Sequence, residues 1–178
     1  DIGLDAEIDR YVLKVAATWV SERVREFGRD MRLTVNISAP HLVDVTTPDY
    51  IADVLRETGL RADLLWLEIT EHAVLQGSGS DPSTTTLEAF RRLGQLGVRL
   101  AVDDFGTGYS SLSYLTSFHI DTLKIDRAFI TRIETSERDS TLVRAIIAMG
   151  HSLGLQMVAE GIEIDLPALS GKRPITWF

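Results

Sequence analysis

The chain has 178 residues, 44% hydrophobic and 25% charged, which is ordinary globular composition for one well-buried domain and excludes disorder. A formal net charge of -8 and a pI of about 5.0 make its surface a poor partner for a nucleic-acid polymer, whose phosphates call for a basic face. The absence of cysteine rules out disulfides, thiolate catalysis and cysteine-type zinc sites. No apolar run reaches the roughly 18 residues of a membrane helix, and no signal-peptide pattern opens the chain, so a cytoplasmic location is expected.

Ile8, Tyr11, Val12, Val15, Ala16, Trp19, Val20 and Val24 recur at helical spacing and predict an amphipathic helix over 5–27, closed by Gly28. Residues 31–38 then alternate, with Leu33, Val35 and Ile37 on one side and Thr34, Asn36 and Ser38 on the other, as a half-buried strand does. Pro40 opens a segment in which Tyr50, Ile51, Val54 and Leu55 mark a helix stopped by Gly59. Residues 64–70 read as the second strand, followed by Glu71 and His72. The low-complexity stretch 76–86 reads as a flexible loop without chemistry. Leu87, Phe90, Leu93 and Leu96 predict a helix ending around Gly97, and 98–103 the third strand, which empties through Asp104 into the glycine-rich Gly106-Thr107-Gly108. A short helix is expected over 109–115 and a fourth strand over 120–126. Leu142, Ala145, Ile146 and Met149 then give a helix over 140–153 stopped by Gly154, and 155–160 the fifth strand. Alternation of helices and strands without tight hairpins implies a parallel α/β sheet with right-handed crossovers. A barrel and a doubly wound sheet satisfy it equally.

In such folds chemistry is done at the C-terminal ends of the strands. There the chain places Asn36, Glu68, Asp103 with Asp104, Lys124 and Glu160. Around Asn36, Glu68, Lys124 and Glu160 the neighbouring apolar residues take the opposite phase, so these side chains converge on one mouth. Buried charges need partners, and two kinds are available: a structural ion-pair cluster around Lys124, or a divalent metal. Hard oxygen donors without histidine or cysteine suit Mg2+ or Mn2+. Two such ions roughly 4 Å apart would activate a water and brace a phosphoryl transition state. Taken alone, Asp103 and Asp104 read equally well as an acidic turn capping the next helix. His41, His72, His119 and His151 show no metal-binding spacing, and Trp19 and Trp66 are expected in the core, Trp66 on the inward side with Glu68.

Asn36-Ile37-Ser38, Leu67-Glu68-Ile69-Thr70-Glu71, Asp103-Asp104-Phe105-Gly106-Thr107-Gly108, Leu123-Lys124-Ile125-Asp126 and Ala159-Glu160-Gly161-Ile162-Glu163 closely resemble, in order, the signature motifs of the EAL-domain cyclic di-GMP phosphodiesterases. The resemblance implies a partial TIM-like (β/α) barrel, with 1–163 a partial EAL domain and 164–178 an atypical tail. It also implies hydrolysis of cyclic di-GMP to linear pGpG with Mg2+ or Mn2+, two ions in the intact domain. Carried over by position, Asn36, Glu68 and Asp103 look like metal ligands and Asp104 a ligand of the second metal. Lys124 would hold the attacking water or the developing phosphate charge, and Glu160 would be the general base or orient that water. Glu71 resembles the glutamate that braces the loop 105–111, which would couple metal occupancy to substrate binding and dimerisation.

The naming Glu-Ala-Leu motif and the Gln-Gly-containing last strand of that family do not occur in this chain. A complete barrel takes roughly 250 residues, so strands are expected to be missing at both edges and the site to lack at least one ligand. The chain begins on Asp1 inside a helical pattern and ends in an aperiodic tail, as a piece of a longer protein would. A catalytically inactive cyclic di-GMP-binding or protein-interaction module, and a truncated fragment, are the alternatives. Homodimerisation and flanking sensory or cyclase domains are left open.

Overall fold

A computed structural model describes residues 2–73, 84–106, 115, 118–133, 135–161 and 176–177. Most of the predicted loop at 76–86, the short helix at 109–115 apart from its last residue, and most of the 164–178 tail lie outside the described residues.

Six strands form one sheet: β1 (Leu33–Asn36), β2 (Leu65–Thr70), β3 (Arg99–Phe105), β4 (Thr122–Ile125), β5 (Gln156–Ala159) and β6 (Thr176–Trp177). All neighbours are parallel and the spatial order follows the sequence without reversal. A doubly wound sheet reverses its strand order at a switch point. This one keeps stepping the same way, as a barrel wall does, and right-handed crossovers then place the helices on a single face. The helices are α1 (Ile2–Phe27), α2 (Ala39–Val43), α3 (Thr47–Thr58), α4 (Thr84–Leu96), α5 (Arg127–Ile130) and α6 (Glu137–Ser152). Beneath them lie the outward apolar rows of the strands, including Leu65, Leu67, Leu100, Leu123, Ile125 and Met157, all essentially inaccessible. The other face carries Thr34, Trp66, Glu68, Ala101, Thr122, Lys124 and Glu160 around a cavity of about 390 Å³.

The structure departs from the sequence expectations where an element is too short to show a period. The segment after Pro40 is two helices, α2 and α3, and α5 is a single turn capped by Asp126, whose carboxylate accepts from Ala128 N at 2.7 Å. Helix α6 begins at Glu137, three residues before its apolar pattern, because Ser136 is its N-cap and accepts from Asp139 N. The aperiodic tail supplies β6, whose two residues pair with Val158 and Ala159.

Helix α1 is turned differently from the expectation. Leu13, Ala17 and Val20 are buried, while Tyr11 is 71% exposed, Trp19 54% exposed, and Ile8, Val12 and Val15 about half exposed. Trp19 is therefore a surface residue, not a core one. The apolar stripe read from spacing is wide, and polar anchors decide which part of it faces in: Ser21 Oγ donates to Thr58 O at 2.7 Å, Arg25 to the same carbonyl at 2.6 Å, and Tyr50 Oη to Arg10 O at 2.7 Å. A count of apolar positions does not register such anchors.

Candidate active site

Register staggers the site residues along the strand ends. Asn36 stands opposite Glu68, Thr70 opposite Asp103, and Glu160 N donates to Ile125 O just beyond the last β4–β5 pair. Lys124 is the hub. Its ammonium lies 2.6 Å from Glu160 Oε1, 3.0 Å from Glu68 Oε1 and 3.0 Å from Asp103 Oδ2, which uses all three of its donors. Lys124 is only 9% exposed. Burial alone would lower its pKa, but the hydrogen bonds to Glu160, Glu68 and Asp103 outweigh it and the net shift is upward, so the group stays charged.

The ion-pair cluster read from the sequence as one alternative is thus present, yet it does not balance. Glu68, Asp103 and Glu160 share one ammonium, and Asp104 adds a fourth carboxylate close to Asp103 and Glu160. Burial pushes the Glu68 carboxyl above the usual range despite Lys124, and Asp104 is pushed up by burial, by Asp103, and by a hydrogen bond with Asp126. An excess of closely spaced carboxylates around one ammonium is the electrostatic situation that a bound cation relieves.

Adjacent residues on a regular strand point to opposite faces, so Asp103 and Asp104 should not share a site. They do because β3 is irregular there. The β3–β4 register shifts between Val102 and Phe105, and Asp104 adopts the left-handed conformation at φ 55°, the one such non-glycine residue among those described. Aspartate tolerates that region better than most side chains, and Asp104 N donates to Asp103 Oδ1 at 2.9 Å within the bend. The extra residue re-aims the strand: Phe105, which strict alternation would turn inward, packs in the core opposite Ile125. Asp104 is rotated to the mouth instead. One oxygen each from Asp103, Asp104 and Glu160 then lie within 4.8 Å of one another.

Glu71, 1% exposed, accepts from Gly106 N at 2.8 Å and so holds the first residue beyond β3. Gly106 has φ 100°, and a Cβ there would stand 2.9 Å from Phe129 Cε2, so any other residue at this point is strained. Asn36 is exposed at the end of β1 and sits one strand away from the acidic group, beside Glu68. Trp66 lines the cavity beneath the mouth with the Arg32 guanidinium 4.0 Å over its ring. Sequence reasoning gave Asp126 no role, although it bonds both Asp104 and the start of α5. The signal was there in the period of two, which puts Asp126 in phase with Lys124.

The family model for the EAL domain matches residues 1–165. The chain belongs to the EAL domain family. This EAL domain is 40% identical over 168 residues to an uncharacterized protein of Mycobacterium tuberculosis, covering 94% of this chain and 26% of that protein. It is 39% identical over 161 residues to the cyclic di-GMP phosphodiesterase NbdA of Pseudomonas aeruginosa, covering 90% of this chain and 20% of NbdA. Among solved structures, PaMucR phosphodiesterase in a c-di-GMP complex superposes with a TM-score of 0.81 at 34% identity, over 92% of this chain and 64% of that one. The EAL domain sequence thus spans about a quarter of the length of the curated relatives it matches. Among the described residues no helix is long and apolar enough to cross a membrane.

Proposed function

We propose that this EAL domain hydrolyses cyclic di-GMP to linear pGpG as a metal-dependent phosphodiesterase. The observation that carries the reading is the oxygen cluster of Asp103, Asp104 and Glu160 within 4.8 Å, next to a lysine already saturated by Glu68, Asp103 and Glu160. The description of NbdA as a cyclic di-GMP phosphodiesterase and the c-di-GMP complex of PaMucR support the substrate.

The donor set fits Mg2+ or Mn2+: it is all oxygen, over-supplied with negative charge, and open to solvent at the strand ends. Asn36, Glu68, Asp103 and Asp104 would hold the ions. Bound there, a divalent metal supplies polarisation of a phosphoryl oxygen and acidification of a water. Glu160, whose side chain is 32% exposed, would accept a proton from a water at the mouth. Lys124 orients that carboxylate at 2.6 Å and offers a fixed positive charge to the oxygens of the reacting phosphate. Glu71 and Gly106 fix the backbone that leaves Asp104.

The test is to incubate the purified chain with cyclic di-GMP and Mn2+ and to resolve the products by chromatography. Formation of pGpG that is lost in Glu160→Gln supports the reading. Saturable binding of cyclic di-GMP without turnover replaces it with that of an inactive binding module.

A further inference from the structure

We infer that Asp9 is a positioning residue for the Asn36 end of the site, which rests on the reading of Asn36 as a metal ligand. Asn36 is the last residue of β1, and among the described residues β1 is an edge strand with β2 as its single neighbour. Beyond it the backbone makes one more sheet bond, from Ile37 N to Glu68 O at 2.9 Å. The next residue leaves the sheet for α1. Both Ser38 N, at 2.9 Å, and Ser38 Oγ, at 2.6 Å, donate to the same oxygen of Asp9, Oδ2.

Ser38 occupies the N-cap of α2, where a serine hydroxyl ordinarily accepts from a backbone N–H of the first helical turn. No such cap bond is made. The hydroxyl donates to Asp9, and a carboxylate acceptor makes both Ser38 bonds charge-assisted. His41 of α2, 1% exposed, packs its Nδ1 3.4 Å from that Asp9 oxygen; burial lowers its pKa, so it is a neutral neighbour and leaves the carboxylate's charge to the Ser38 donors. The turn that carries Asn36 is therefore held from one side by β2 and from the other by a single carboxylate on α1. Among the described residues Asp9 makes its hydrogen bonds and ion-pair contact to Ser38 and His41, not to a mouth residue. Its effect on the site is to restrict where the Asn36 carboxamide can stand.

The test is Mn2+ titration of the 178-residue chain, followed by the spin-resonance signal of free Mn2+. Asp9→Ala is expected to weaken Mn2+ binding about tenfold, the scale seen when a group supporting a ligand is lost. Asp9→Asn restores most of the affinity, because an amide oxygen still accepts both Ser38 donors. Ser38→Ala, which keeps the backbone bond, weakens binding by about threefold and carries the test if Asp9→Ala fails to fold. Ser21→Ala removes a buried bond of the same helix to Thr58 and serves as the control: it lowers thermal stability and leaves the Mn2+ Kd unchanged. Asn36→Ala weakens binding at least as much as Asp9→Ala, and the double variant is no worse than Asn36→Ala alone. If Asn36→Ala weakens binding while Asp9→Ala does not, or if Ser21→Ala matches Asp9→Ala, the positioning role is overturned and the ligand reading stands. An unchanged Kd in Asn36→Ala, or no saturable Mn2+ binding by the unaltered chain, overturns both.

Discussion

Replacing Lys124 by methionine tests the electrostatics of the mouth directly, because the side chain keeps its approximate volume and loses its charge. The ammonium holds Glu68, Asp103 and Glu160 at 3.0, 3.0 and 2.6 Å. Breaking a buried ion pair from one side costs about 3–5 kcal/mol. The lower end applies to Lys124→Met, since Glu160 is 32% exposed and water screens part of the repulsion left behind. A loss of about 3 kcal/mol lowers the melting temperature of a domain of this size by about 6–12 °C. At one fixed saturating Mn2+ concentration the cation should then stabilise the variant more than the parent chain, because it takes over the missing positive charge; each tenfold tightening of Kd adds about 1.4 kcal/mol to the increment. Scanning both proteins by calorimetry in chelator and in Mn2+ reads all four values. A variant within about 1 kcal/mol of the parent in chelator, or an equal Mn2+ increment in both, would refute the argument that three carboxylates depend on this one cation.

Asp103→Asn removes a proposed ligand and the partner of both Lys124 and Asp104 N; pGpG formation should fall by about two orders of magnitude or more, and near-normal turnover at saturating Mg2+ counts against the assignment. The raised carboxyls of Glu68 and Asp104 bind protons more readily in the folded state, so their contribution to stability is complete below the ordinary carboxylate range and is lost as pH rises through their folded values. In chelator, urea midpoints at closely spaced pH values should show these two groups adding stability as pH falls toward that range, and Glu68→Gln together with Asp104→Asn should remove that component; an identical pH profile in the double variant contradicts it. Gly106→Ala combines a φ of 100° with a contact to Phe129 at 2.9 Å, and a loss of about 1–3 kcal/mol in denaturant unfolding is expected; a neutral effect would mean that the backbone after Asp104 is not held as described.

Much of this protein was legible along the chain. A period of two placed Leu33, Val35, Leu67, Leu123 and Ile125 beneath the helices and Asn36, Glu68 and Lys124 on the other side, and the helix stops at Gly28, Gly59 and Gly97 coincide with left-handed glycines. Those features depend on residues close in sequence, which is why spacing reveals them. Three others depended on contacts between distant segments. Strand order separated a barrel wall from a doubly wound sheet, a choice that identical helix-strand alternation leaves open. Polar anchors to Thr58 and Arg10 turned α1 so that Trp19 faces solvent, where apolar spacing had put it in the core. The Asp103–Asp104 pair, whose second carboxylate a regular pleat would have sent to the helix side, shares one mouth only because the β3–β4 register slips and Asp104 takes a left-handed backbone. The sequence by itself determined which side chains stand at the strand ends. The tertiary structure decided which of them meet, because register and backbone hand are set by pairing across the sheet rather than by the order of residues within one strand.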